Sequence, residues 1–200
     1  LHILYDSDCN DIPNPSRKNT IRNNIFRNNI YGLRSNGAFC IAAEYSNANN
    51  TINNNTMVNN EIGISIFSYS DTNIISNNIV QDNSNISIII GPTSCDFNNI
   101  YLNTFINGTN KSSDGNTDNS WNTTNQGNYW SDYDAEAEGC FDTDSNLICD
   151  TPYNISGSGG AKDYFPLLGL QILEIIPIQV VQDVDLVKGK TTLVRSILKS

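Results

Sequence analysis

The densest run of reactive side chains lies between Asp132 and Asp150. Seven acids stand there without a base: Asp132, Asp134, Glu136, Glu138, Asp142, Asp144 and Asp150. Within the run, Asp142, Asp144, Asn146 and Asp150 occupy positions 1, 3, 5 and 9 of one loop. Oxygen donors at alternate positions suit Ca2+, which takes about six to eight oxygens from a chain that curls around it. The loop is not an EF-hand, because position 6 is Leu147 instead of Gly and position 12 is Tyr153 instead of Glu. Losing the glycine works against tight curling. Cys140 and Cys149 bracket the loop. A disulfide between them closes a short ring, worth roughly 2–3 kcal/mol in the chain-entropy picture. No Cys-x-x-Cys occurs among the five cysteines, which argues against zinc.

A second group is aromatic: Trp121, Tyr129, Trp130 and Tyr133. Exposed, such rings stack on sugars; buried, they cover the open end of a repeat stack, whose apolar core and strand edges need a cap. Upstream acids are scattered (Glu44, Glu61, Asp71, Asp82, Asp96). Asp71 and Asp96 are 25 residues apart at equivalent places, a weak carboxylate pair of the kind a glycoside hydrolase uses. Arg22 and Arg27 are the candidate lyase-type bases and have no acid cluster beside them. With one His (His2) and one Met (Met57), the chain is poor in the soft ligands that copper prefers.

The elements that must position these groups come from an internal repeat. Asn19-Thr20-Ile21-Arg22-Asn23-Asn24 recurs at Asn50, Ile52 and Asn55, at Asn73, Ile75 and Asn78, and at Asn98, Ile100 and Asn103. The skeleton is Asn-x-Ile-x-x-Asn-x-φ, with Phe26, Met57, Val80 and Phe105 as φ, at spacings of 31, 23 and 25 residues. A further corner follows at Asn29, Asn60 and Asn83, and Gly108 stands there in the fourth copy. The extra length of the first copy is read as an inserted loop around Gly32–Phe39. A period in the low twenties is too short for helix pairs and fits one coil of a parallel β-solenoid. Ile then points inward and stacks at about 4.8 Å, and Asn serves the corners and ladders. Leucine-rich repeats share the period but require Leu, and only Leu33 and Leu102 occur between residues 16 and 110.

Composition agrees. The 200 residues hold 33 Asn and 26 Ile against seven Ala, which excludes an alanine-rich helical bundle. The net charge of −10 argues against nucleic acid as a partner. The five bases from Pro13 to Ala43 (Arg17, Lys18, Arg22, Arg27, Arg34) are read as a solvated face, with an anion or polysaccharide contact as the alternative. No apolar run reaches the ~20 residues of a membrane helix.

These repeats, followed by Gly127-Asn128-Tyr129-Trp130-Ser131-Asp132-Tyr133, by Asp150-Thr151-Pro152-Tyr153 and by Asp163-Tyr164-Phe165-Pro166-Leu167, resemble the NosD-like right-handed parallel β-helix family over roughly residues 13 to 168. The resemblance implies an architecture similar to carbohydrate-binding proteins and sugar hydrolases, of a type abundant in secreted and cell-surface proteins of methanogenic archaea. In that family the acidic stretch usually reads Asp-x-Asp-Gly-Asp-Gly-Ile-x-Asp, from which Leu147 departs.

The expected fold class is all-β: a right-handed parallel β-helix over residues 1–110, a C-terminal acidic cap over 111–168, and the truncated start of an immunoglobulin-like β-sandwich over 169–200. The chain reads as part of a longer protein with adjoining domains. The expected function is a non-catalytic extracellular or cell-surface module, structural, adhesive or carbohydrate-binding, with Ca2+ as cofactor and polysaccharide or other surface components as partners. The alternatives are a β-helix polysaccharide lyase or glycoside hydrolase and, more remotely, a copper-handling protein.

Overall fold

A computed structural model describes residues 2–4, 18–36, 48–67 and 69–169. Three parallel sheets run the length of the repeat. Sheet I holds β2 (Thr20–Arg22), β5 (Thr51–Asn53), β8 (Ile74–Ser76) and β11 (Asn99–Tyr101). Sheet II holds β3 (Ile25–Arg27), β6 (Thr56–Val58), β9 (Ile79–Gln81), β12 (Thr104–Ile106) and β14 (Tyr129–Trp130). Sheet III holds β1 (His2–Leu4), β4 (Tyr31–Asn36), β7 (Ile62–Phe67), β10 (Ile86–Ile90) and β13 (Asn110–Asp114). Each coil passes from sheet I to II to III and then returns one level up. This is the expected parallel β-solenoid, with no α-helix among the described residues.

Register follows the repeat. Ile21, Ile52, Ile75 and Ile100 pair in one column, and the last three are 1% exposed or less. Phe26, Met57, Val80, Phe105 and Trp130 form the column of sheet II. In sheet III the column Leu33, Ile64, Ile88 ends at Ser112, and Ile66, Ile90 ends at Asp114. The sheet III columns thus turn polar where the stack stops.

Two duties expected of one asparagine are divided between neighbours. The repeat asparagines Asn55, Asn78 and Asn103 are buried, and the left-handed backbone falls on the residue before each: Asn54 (φ 56), Asn77 (φ 56) and Leu102 (φ 55). The same holds before Asn50, Asn73 and Asn98, where Asn49, Thr72 and Phe97 have φ of 58, 53 and 56. Asparagine tolerates this region better than most residues, which accounts for the Asn-Asn pairs at corners. The residue that follows turns its amide inward and spans the coils. Asn78 Oδ1 accepts from Asn55 N (2.9 Å) and Nδ2 (3.1 Å), while Asn78 N and Nδ2 donate to Asn103 Oδ1 (3.0 and 2.9 Å). Its Nδ2 also reaches Ile52 O at 2.9 Å. Buried amides need such complete satisfaction, because an orphaned one costs ~1–3 kcal/mol.

Part of the stretch expected to be an inserted loop is strand. Residues 32–36 belong to β4, paired with β7, because Leu33 is needed in the interior column. The rest of that stretch, residues 37–39, lies outside the described residues. So do Cys9, Cys40 and residues 170–200, which hold nearly all of the expected sandwich segment.

Candidate functional site

The aromatic and acidic groups after the last full coil form the cap. Strand pairing continues past residue 110 through β13 and then β14. Asn119-Ser120-Trp121 repeats the place of Asn98-Asn99-Ile100, with Ser120 bridging Asn99 and Asn98 bonding to Asn119 Oδ1. Asn128-Tyr129-Trp130 repeats the place of Asn103-Thr104-Phe105. A final partial coil therefore carries a Trp at each inward position. Trp121 is 1% and Trp130 0% exposed, so neither ring is available to a sugar, and the expectation of carbohydrate stacking at these two residues is corrected. Trp130 lies between Phe105 (4.4 Å between centroids) and Tyr153 (4.2 Å). Tyr133 packs edge-on against Tyr153 and its hydroxyl bonds to Gly139 O. Tyr129 is half-buried and bonds through its hydroxyl to Asp134 Oδ2. Burial, with that bond second, pushes the Tyr129 phenol up to about 12. Both tyrosines are anchored in the cap by these bonds and keep part of their surface exposed.

Each of two asparagine ladders ends on a buried carboxylate that also accepts an indole N–H. Asn119 Nδ2 donates to Asp114 Oδ1 (3.0 Å) and Trp121 Nε1 to Asp114 Oδ2 (2.8 Å). Asn128 N and Trp130 Nε1 donate to Asp163 Oδ2 (2.7 and 3.0 Å), and Phe165 N to Asp163 Oδ1 (3.1 Å). An aspartate suits the end of a ladder because it accepts without needing an acceptor in turn. Burial pushes the Asp163 carboxyl up to about 6, against the lowering pull of these donors. Gly127 permits the approach: a Cβ there would collide with Asp163 Oδ1. This explains physically why Gly127-Asn128-Tyr129-Trp130 and Asp163-Tyr164-Phe165 occur together. Asp163 is carried on β16 (Lys162–Asp163), antiparallel to β15 (Tyr153–Asn154). Ser156 bridges Ser113 and Leu167 bridges Tyr129, so the hairpin region and its continuation cover the ends of sheets III and II.

The disulfide Cys140–Cys149 is present, with 4.9 Å between Cα atoms. Inside its ring the oxygens are turned to the loop itself. Asp142 accepts from Asn146 N (3.0 Å) and Leu147 N (3.0 Å), Asp144 from Asn146 N (3.2 Å) and Nδ2 (3.0 Å), and Asn146 Oδ1 from Ile148 N (2.8 Å). Asp150 accepts from Thr143 Oγ1 (2.6 Å) and N (2.9 Å), bonds that lower its carboxyl below the usual range. Among the described residues no three acidic, histidine or cysteine side chains converge as metal ligands do. Asp142, Asp144 and Asn146 here bond to the loop's own N–H groups, and Asp150 bonds to Thr143. Leu147 takes the left-handed backbone (φ 67) where a glycine would sit without strain.

Asp71 and Asp96 stack on neighbouring coils, with Asp96 N donating to Asp71 Oδ1 (3.0 Å). Burial raises both carboxyls; Asp96 adds to the shift of Asp71, and Asp118 and Asp114 add to that of Asp96. Behind them Cys95 is buried, its thiol pushed up to about 11 by burial, which makes it unreactive.

Arg22 and Arg27 are exposed on β2 and β3. No helix among the described residues is long and apolar enough to cross a membrane. A protein-family profile described as "Periplasmic copper-binding protein (NosD)" matches residues 7–135, more than half of the 200 residues. No curated protein and no solved structure matches the chain.

Proposed function

This chain belongs to the NosD family, and on that premise we propose that it is a non-catalytic module of the periplasm, cell surface or exterior whose long faces hold polysaccharide. The observation that carries this reading is the fate of the chemically promising residues. Asp114, Asp163, Trp121 and Trp130 are consumed in closing the stack, whereas the corners keep exposed amides at every coil. A copper role is not favoured: the single Met57 is 0% exposed in the core, and the thiol of Cys95 is buried.

The Asp71–Asp96 stack favours a second reading, a glycoside hydrolase or lyase, because two carboxyls raised by burial share one side of adjacent coils. One experiment separates the two. The protein is incubated with a panel of neutral and uronic-acid polysaccharides, and both retention and new reducing or unsaturated ends are measured. Retention without new ends is expected. New ends that vanish in Asp96→Asn would replace the binding reading with the enzymatic one, and neither retention nor new ends would remove both.

A further inference from the structure

The three corners of the coil differ in charge. At the corner leading from sheet III into sheet I, Asp71, Asp96 and Asp118 approach one another closely enough for Asp118 to raise Asp96. The corner between sheets II and III carries Glu61 and Asp82, the latter accepting from Asn107 Nδ2 at 2.9 Å. The corner between sheets I and II has no acid in any coil from residue 22 to residue 102. It reads Arg22-Asn23, Asn53-Asn54, Ser76-Asn77 and Tyr101-Leu102.

Register aligns these pairs along the solenoid axis: Arg22 with Asn53, Asn53 with Ser76, and Ser76 with Tyr101. The left-handed corner residues Asn23, Asn54 and Asn77 have φ of 58, 56 and 56, so the backbone turns alike at each level and leaves all three side chains exposed. The row is ordered, because Asn54 Nδ2 donates to Asn23 Oδ1 (2.7 Å) and Asn53 Nδ2 to Ser76 Oγ (3.0 Å). The result is a track of amides repeating every ~4.8 Å, each with donors and acceptors beyond those used within the row. It ends at the half-buried ring of Tyr101.

We propose that this first corner is the polysaccharide track: a neutral, hydroxyl-rich linear glycan lies parallel to the solenoid axis, one sugar unit to a coil, with its hydroxyls on Asn23, Asn54 and Asn77 and one ring against Tyr101. The inference rests on the polysaccharide reading above and specifies it. Amides exchange hydrogen bonds with hydroxyls without charge, so the ligand needs no acid. The single cation, Arg22, is too little to hold a polyanion against the net charge of −10.

The test is affinity electrophoresis of the whole chain through gels containing hydroxyethyl cellulose, glucomannan or laminarin, with an alginate gel as the anionic arm. Retardation by at least one neutral gel is expected, and Asn54→Asp with Asn77→Asp should weaken it roughly tenfold. Asp118→Asn, on the acidic corner, should leave it unchanged. Arg22→Glu, exposed at the end of the row, serves if the double variant loses its cooperative melt. Equal retardation of wild type and both track variants would overturn the track and leave the polysaccharide reading standing, as would retardation by alginate alone. No retardation in any gel would overturn both.

Discussion

The coils and the cap use the same two patterns, an inward apolar column and an asparagine ladder, but resolve them differently. In the coils each position repeats with little change: Ile52, Ile75, Ile100 in one column and Asn55, Asn78, Asn103 in one ladder. In the cap the same places are taken by Trp121, Trp130, Asp114 and Asp163. Repetition works while every donor meets an acceptor on the next level. The last level has no next, so it needs bulk to cover the column and a group that accepts without donating. Tryptophan and aspartate together meet both needs, and each indole N–H lands on the same carboxylate that ends a ladder.

The contrast can be broken most severely at Trp130. Trp130→Ala removes the ring between Phe105 and Tyr153 and strips Asp163 of one donor, and should lower stability by about 3–5 kcal/mol in urea unfolding. A loss below about 1 kcal/mol would show that the cap is not coupled to the coils. Within a ladder, position should decide the effect. Asn78→Ala orphans buried groups on both sides and should lose ~2–4 kcal/mol, whereas Asn24→Ala, exposed on the first level, should lose less than ~1 kcal/mol. Equal losses would deny that the ladder acts as a chain of dependent bonds.

The carboxylate at the ladder's end gives a pH signature. The Asp163 carboxyl is pushed up to about 6 in the folded chain, so the folded form holds its proton more tightly than the unfolded one. Its contribution is then complete below about pH 4 and is lost as pH rises through about 6, by up to about 3 kcal/mol. Asp71 and Asp96, also raised, act in the same direction. Melting temperatures from pH 4 to 7 should fall in the wild type and fall less in Asp163→Asn; parallel curves would remove Asp163 as the source. The smallest effect is expected at the acidic loop. Exchanging Ca2+ for EDTA should leave the melting temperature unmoved, and a rise of several degrees with Ca2+ would mean that Asp142, Asp144 and Asp150 leave their loop partners for a cation.

Much of the coil architecture could be read in the residues, because a column needs the same residue type at a fixed interval. Asn-x-Ile-x-x-Asn fixed the order of sheets I and II and the inward faces of Ile21 through Ile100. The cap was legible only in part. Asn128 and Trp130 follow Asn103 and Phe105 by 25 residues, so the continued ladder and column had a visible signal, blurred because the gap from Asn119 to Asn128 is nine residues where the coils have five. Asp163 had no local signal: it meets Asn128 from 35 residues away, and nothing in Lys162-Asp163-Tyr164 marks a buried acid. The acidic loop is ambiguous for a related reason. Alternate carboxylates serve metal shells and Asx-type turns equally well, and the bonds Thr143 gives to Asp150 are not visible in the spacing.

The one-way handing of amide protons along Asn50, Asn73, Asn98 and Asn119 makes height a free variable of this architecture. A gene that duplicated residues 67–90 would insert a level whose side chains already match those above and below, and the terminator at Asp114 and Asp163 would simply ride further out. Evolution can therefore set the reach of such a spar by copy number, without redesigning either end.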